Sequence, residues 1–324
     1  MKAVYLEKGA VSRGDLSLDP ITSLMDTTVY ENTTEENKFE HIGDAEIVYD
    51  NKIIFDEETF QKLPNLKYIG VCATGYNVID LEAAKRHGVT VTNVPAYSTE
   101  SVAQLAWGFI IELASRISEH NASVHNGDWV RSETFCYWNH PIMELAGKTI
   151  GIIGYGNIGS RMAEIALAFR LKVRIYTAHP DKYKDDPIIR GQGDIRFVSL
   201  DEIWKDSDII TLHCPMNKDT EKLICRETID KMKDGVIIIN VSRGGLVNEQ
   251  DLADALASGK VAAAAADVVT VEPMKADNPL LTAPNLCLTP HLAWASLEAR
   301  SRLIDVVSSN VKAYLNGEKQ NVLT

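Results

Sequence analysis

A chain of 324 residues, 45% hydrophobic and 24% charged, exceeds what one ordinary core requires and suits two domains. Its formal net charge of −12 argues against general nucleic-acid binding, which needs a basic surface to displace counterions, and against docking on an anionic membrane. Residues 1–10 lack the apolar core of a signal peptide, no apolar run approaches a membrane span, and the five cysteines are scattered without a CxxC pair.

A reduced, cytoplasmic protein without a structural zinc site is therefore expected, with Cys72, Cys136, Cys214, Cys225 and Cys287 as free thiols. Along the chain, residues 3–6, 47–49, 68–71 and 89–92 are short apolar runs that read as buried strands. A helix over 80–87 separates the last two and closes at Gly88, glycine being the usual residue at a left-handed helix end. Strands alternating with helices predict a parallel sheet covered on both faces.

After Pro95 the pattern changes. Ser98 or Thr99 caps a helix in which Val102, Leu105, Ala106, Phe109, Ile110, Leu113 and Ile117 recur at helical spacing. Residues 120–140, with Trp129, Phe135, Tyr137 and Trp138, follow neither period and read as an irregular arm. The arm is either a packed loop or a surface that covers a subunit partner, since aromatic side chains are enriched at interface centres.

A second α/β series begins at residue 149. Strands are expected over 149–153, 173–176, 208–213, 236–240, 261–267 and 286–288, and a closing helix over 296–315 is stopped by Asn316 and Gly317. The first of these strands runs into GYGNIG (154–159), with a helix over 160–169 behind it. Alone, GxGxxG often marks only a turn; a strand before it and a helix after it are the context that dinucleotide binding demands. Gly154 permits the tight turn, Gly156 lets the backbone approach a pyrophosphate, and Gly159 lets the helix pack closely on the strand. The free N–H groups of that helix then face the phosphates.

About twenty residues further on, an acidic residue is expected to grip the ribose of NAD. Thr177 stands there instead. His179 and Lys182 nearby either attract the additional phosphate of NADP or are merely solvated loop charges, so the cofactor is NAD(P) with the choice open.

Reduction of a keto acid needs a cation for the carboxylate, a proton donor facing the keto oxygen, and a group that keeps the donor protonated. Arg243, in NVSRGG (240–245), follows a strand directly, and its planar fork matches a carboxylate in two-point geometry. Glu272, before Pro273, lies just after the strand that ends at Asp267, and His291, in TPH (289–291), follows the next strand. Singly, a loop arginine usually sits in a solvated ion pair, Glu-Pro is common in turns, and a lone histidine is more often structural. Their joint occurrence after successive strands points to chemistry. A carboxylate beside His291 favours the imidazolium, a competent acid near neutral pH, and because Arg243 opposes this, Glu272 has to be the closer partner.

These residues resemble the D-2-hydroxyacid dehydrogenase family over nearly the whole chain. The stretches that carry the resemblance are CATGYNVID (72–80), NVPAYSTESVAQ (93–104), ELAGKTIG (144–151), the glycine loop, LHCP (212–215), NVSRGGLV (240–247), Asp267 with Glu272 and Pro273, and TPHLAW (289–294). The resemblance implies an α/β protein of two doubly wound parallel-sheet domains. One is a flavodoxin-like substrate domain of residues 1–97 and 292–324, and the other an inserted Rossmann NAD(P)-binding domain of residues 98–291.

By the same resemblance, Arg243 binds substrate, Glu272 supports His291, and His291 exchanges the proton, while main-chain N–H groups around Thr74 and Gly75 help hold the substrate carboxylate. Val102, Asn157, Ile158, Cys214, Pro215, Ser242 and Asp267 line the cofactor beside Gly154, Gly156, Gly159 and Thr177, with Asp267 near the nicotinamide amide. Family members are commonly dimers joined through the long helix and the aromatic arm, here residues 99–119 and 120–145. The wording ATGYN (73–77) and VPAYS (94–98) looks most similar to the glycerate dehydrogenases, also called hydroxypyruvate reductases, so reduction of hydroxypyruvate to D-glycerate is the expected reaction. Glyoxylate, pyruvate and phosphorylated hydroxypyruvate are the alternative substrates, although the chain ends soon after its last predicted helix, without the appended regulatory domain of many phosphoglycerate dehydrogenases. The same fold also serves as a dinucleotide-sensing transcriptional corepressor, a reading that Arg243, Glu272 and His291 do not exclude.

Overall fold

The computed structural model describes residues 1–191 and 193–324, and among these residues two all-parallel sheets organise the chain. One unit comprises Met1–Ser98 and Trp294–Thr324, the other Thr99–Ala293.

The first unit is built on β1 (Lys2–Tyr5), β2 (Asp26–Val29), β3 (Ile47–Asp50), β4 (Tyr68–Val71) and β5 (Thr90–Thr92), in the order β2-β1-β3-β4-β5. This is the flavodoxin-like order, and β3 and β4 are buried at every position, as strands covered on both faces must be. Strand β2 is absent from the sequence reading. Its DTTV segment is a mostly exposed edge, made a strand only by backbone pairing with β1 from Lys2↔Asp26 to Tyr5↔Val29. The Leu81–Arg86 helix starts where the Asp80 carboxylate accepts the Ala83 N–H at 2.9 Å, and Gly88 follows it at φ +70. The closing helix, Leu297–Leu315, packs Leu303, Ile304, Val307 and Val311 onto the sheet face that carries Tyr5, Tyr49 and Tyr68.

The second unit holds β6 (Thr149–Ile153), β7 (Lys172–Tyr176), β8 (Ile195–Phe197), β9 (Ile209–Leu212), β10 (Val236–Asn240), β11 (Val261–Ala266) and β12 (Leu286–Leu288). Their order is β12-β11-β10-β9-β6-β7-β8. It reverses between β6 and β9, the topological switch point at which open α/β sheets of the Rossmann type take their ligands. Strand β8 is a second edge that the sequence reading lacks; its IRF segment has no fully buried residue and pairs only with β7.

The helix that enters this unit, Thr99–Ser115, buries Val102, Ala103, Ala106, Trp107, Phe109, Ile110 and Leu113 in one stripe. It ends earlier than its apolar spacing predicts. Arg116 turns left-handed at φ +52, and a second helix, Ile117–His125, occupies the start of the segment read as irregular. Ile117 keeps the apolar period but is 54% exposed, so the period overshoots the break. Beyond it, Trp129, Val130, Phe135, Trp138 and Ile142 are exposed, and the Trp129 indole N–H donates to the Phe135 carbonyl at 3.0 Å. Among the described residues no helix is long and apolar enough to cross a membrane.

Candidate active site

Strand β6 delivers the chain to Gly154 beside the end of β9. Gly154 has φ +100, and a Cβ there would meet the Cys214 amide nitrogen at 2.5 Å and the His213 carbonyl carbon at 2.6 Å. Only glycine satisfies both constraints. A Cβ on Gly159 would overlap the Gly154 carbonyl oxygen, so the helix lies directly against the turn. At Gly156 a Cβ would meet nothing within 4 Å, which leaves the front of the loop open.

The helix itself runs Asn157–Ala168, three residues earlier than expected, with Gly156 as its N-cap, no side chain capping it and no acid in its first turn. Asn157 is exposed and Ile158 half-buried against the core. An open cradle in front of an uncapped helix N-terminus fits the pyrophosphate of a dinucleotide. Tyr155, buried between the glycines, packs edge-on to Tyr183 at 5.0 Å and Phe197 at 5.5 Å, fixing the loop to the chain that follows β7. Thr177 opens that segment, half-buried, its hydroxyl oxygen accepting the His179 N–H at 3.4 Å.

At the end of β9, His213 has its Nε2 2.8 Å from the Thr211 hydroxyl, and burial pushes its imidazole down to about 3, so it stays neutral. The neighbouring Cys214 thiol is pushed up to about 11 by burial, which removes it as a nucleophile and leaves it as a wall residue beside exposed Pro215. The Cys214 carbonyl accepts the Ser242 hydroxyl at 2.7 Å, tying the ends of β9 and β10 together. Val102 lies in the entering helix, almost fully buried in the core on that side of the sheet.

Arg243 follows β10 on a braced turn. Asn240 accepts the Ser242 N–H at 3.1 Å and donates its amide to the Arg243 carbonyl at 2.8 Å, and a Cβ on Gly244 would overlap the Val269 carbonyl group. The guanidinium is half-buried and donates to the Ser242 carbonyl at 2.8 Å. It makes no ion pair among the described residues, so its remaining donors are available to an acidic ligand.

Asp267, 1% exposed, directly follows β11. One carboxylate oxygen accepts the Thr289 hydroxyl and the Leu292 N–H (2.9 Å), the other the Ala293 N–H (2.8 Å), and its main-chain carbonyl accepts the His291 N–H at 2.8 Å. Burial raises its carboxyl above the usual aspartate range, opposed by these hydrogen bonds. The result is a clamp on residues 289–293, where His291 sits at φ +54. A non-glycine residue in that region costs about 1–3 kcal/mol and persists only where its surroundings impose it. This second task of Asp267 has no signature in the sequence, because the partners are main-chain groups of a segment distant along the chain.

Glu272 Oε2 lies 2.6 Å from His291 Nδ1, and Glu272 Oε1 accepts the Val269 N–H at 3.2 Å. A carboxylate only accepts, so Nδ1 carries a proton and Nε2 is left to exchange one. The pair is 27% and 32% exposed, accessible enough for the proton to be replaced from water.

In the first unit, the loop after β4 carries Thr74 and Gly75. It is latched by the Thr74 hydroxyl donating to the Val94 carbonyl at 2.7 Å and the Asn93 amide donating to the Thr74 carbonyl at 2.8 Å. The main-chain N–H groups of Thr74 and Gly75 have no protein acceptor among the described residues, which suits an anion.

Residues 107–293 match the family described as D-isomer specific 2-hydroxyacid dehydrogenase, NAD binding domain. A hydroxypyruvate reductase of Blautia hydrogenotrophica is 46% identical over 326 residues, spanning 100% of this chain and 99% of the relative. A glycerate dehydrogenase of Methylorubrum extorquens is 41% identical over 297 residues, 91% of this chain and 90% of the relative. Among solved structures, an acyclic imino acid reductase in complex with NADPH and D-arginine matches with a TM-score of 0.85 and 30% identity, over 100% of both chains.

Proposed function

Since the chain belongs to the D-isomer specific 2-hydroxyacid dehydrogenase family, we propose that it is a hydroxypyruvate reductase, converting hydroxypyruvate to D-glycerate with NAD(P)H. The observation that carries this reading is the 2.6 Å contact between Glu272 and His291, on loops that follow β11 and β12. The two relatives named a hydroxypyruvate reductase and a glycerate dehydrogenase support the choice of substrate.

The Thr99–Ala293 unit serves as the cofactor domain and the other unit as the substrate domain. Gly154, Gly156, Asn157, Ile158 and Gly159 hold the pyrophosphate, while Val102, Thr177, Cys214, Pro215, Ser242 and Asp267 line the rest of the cofactor. When bound, the cofactor supplies the hydride that the keto carbon accepts. Arg243 binds the substrate carboxylate in two-point geometry, which orients the keto group. His291 donates the Nε2 proton to the keto oxygen as negative charge develops there, and Glu272 stabilises the imidazolium before transfer and holds the ring through Nδ1. Water then returns the proton to Nε2.

The exposed aromatics Trp129, Phe135 and Trp138 support a homodimer formed through the Thr99–Ser115 and Ile117–His125 helices and the arm to residue 145. Five free cysteines support a reducing, cytoplasmic setting. The activity is tested by oxidation of NADH and NADPH with hydroxypyruvate, glyoxylate, pyruvate and phosphohydroxypyruvate. Hydroxypyruvate is expected to give the highest kcat/KM; turnover of none of the four contradicts the reading.

A further inference from the structure

We infer that the turn after β7, residues 177–184, is a subsite for the 2′-phosphate of an adenine dinucleotide, so that this chain prefers NADPH to NADH. This rests on the dinucleotide reading of the glycine loop and takes it one step further, to which dinucleotide is bound.

Strand β7 ends at Tyr176, and the next residue is where an acid would accept both ribose hydroxyls and repel a phosphate. Thr177 occupies it. Because the Thr177 oxygen already accepts the His179 N–H, the hydroxyl proton remains to be donated outward. The chain then closes a short turn, Pro180–Tyr183, in which the Lys182 N–H donates to the His179 carbonyl at 3.2 Å. His179 and Lys182 are exposed, and neither forms an ion pair among the described residues.

The position of this turn is not left to the solvent. Tyr183 packs edge-on against Tyr155, so the cationic turn and the pyrophosphate loop share one aromatic anchor. The Lys182 ammonium lies 5.5 Å from the Tyr183 ring centroid, held beside the same anchor. Of the nearby carboxylates, Asp185 is paired with Arg190 and Asp186 accepts the Ile188 N–H at 2.8 Å. Asp181 remains on the turn as an exposed opposing charge, set against His179, Lys182 and Lys184. On a protein with a net charge of −12, a locally cationic turn at the end of this strand favours the more anionic of two otherwise equal ligands. Charge-assisted hydrogen bonds from Thr177, His179 and Lys182 match the three terminal oxygens of a phosphate.

The test is nucleotide binding without keto acid. Wild type and the His179→Ala/Lys182→Ala double variant are titrated with NADPH and NADH by nucleotide fluorescence, and 2′,5′-ADP and 5′-AMP are compared as displacers. Wild type is expected to bind NADPH about tenfold or more tightly than NADH, as charged hydrogen bonds to a phosphate predict, and to be displaced more readily by 2′,5′-ADP. The double variant is expected to lose that preference while keeping its NADH affinity within about twofold, since both side chains lie at the surface. Wild type favouring NADH, a preference that survives the double substitution, or equal loss of both nucleotides would each overturn the inference. If wild type binds neither nucleotide, the cofactor reading itself has failed.

Discussion

The main-chain carbonyl of Asp267 holds the N–H of His291 at 2.8 Å, while the Asp267 side chain holds the two residues that follow it. One buried residue thus holds the turn on which His291 takes its left-handed backbone.

Asp267→Asn keeps the size of the side chain but replaces one acceptor oxygen by an N–H₂ group facing a main-chain donor. A buried donor left without an acceptor costs about 1–3 kcal/mol, most of it borne by residues 289–293. The expected outcome is a folded protein with a lower Tm and a reduced kcat, read by thermal denaturation and steady-state kinetics. Wild-type kcat in a variant of lowered Tm would mean that the clamp does not govern His291.

Glu272→Gln retains an acceptor for His291 Nδ1 but removes the charge that favours the imidazolium. The expected effect is a fall in kcat of about 10²-fold, at the low end of what general acid catalysis contributes. Steady-state kinetics checks this; a wild-type kcat in the variant would mean that the Glu272 charge plays no part in the proton transfer.

Away from these loops, Asp50 at the end of β3 is fully buried, with one carboxylate oxygen accepting the Ile53 N–H and the other without a partner. Burial, with the Glu7 carboxylate next in weight, raises its carboxyl well above the usual range. A carboxyl whose folded value is raised binds its proton more tightly in the native state. Its stabilising contribution is therefore complete below the unfolded value, about 3.9, and is lost as pH rises through the folded one. Asp50→Asn should flatten that decline, measured as Tm against pH. Glu7, also raised by burial, leaves part of the slope in place. A variant whose Tm falls with pH as steeply as wild type would contradict the assignment.

The fold was legible wherever strands are buried on both faces. The runs of β3, β4, β6, β9 and β10 are dominated by apolar residues because no position in them meets water. Strands β2 and β8 lacked that signal, since DTTV and IRF lie at sheet edges and owe their conformation to backbone pairing. The break at Arg116 was hidden because Ile117 continues the apolar period into the next helix. Arg243, Glu272 and His291 stood out as candidates because each follows a strand toward the same sheet edge. The distances among their neighbours did not: the Asp267 clamp, the Ser242–Cys214 tie and the Tyr155–Tyr183 anchor each join segments brought together only by the sheet.

The central claim is that His291 transfers the proton while a separate loop binds the cofactor, and one comparison addresses it directly. In His291→Ala, kcat with hydroxypyruvate and the dissociation constant of the reduced cofactor are measured on the same preparation. The account predicts that kcat falls by about 10²- to 10⁴-fold, the range of general acid catalysis, while cofactor affinity stays close to that of wild type because Gly154, Gly156 and Gly159 are untouched. A variant that keeps most of its turnover, or one whose cofactor affinity collapses along with it, would contradict that account.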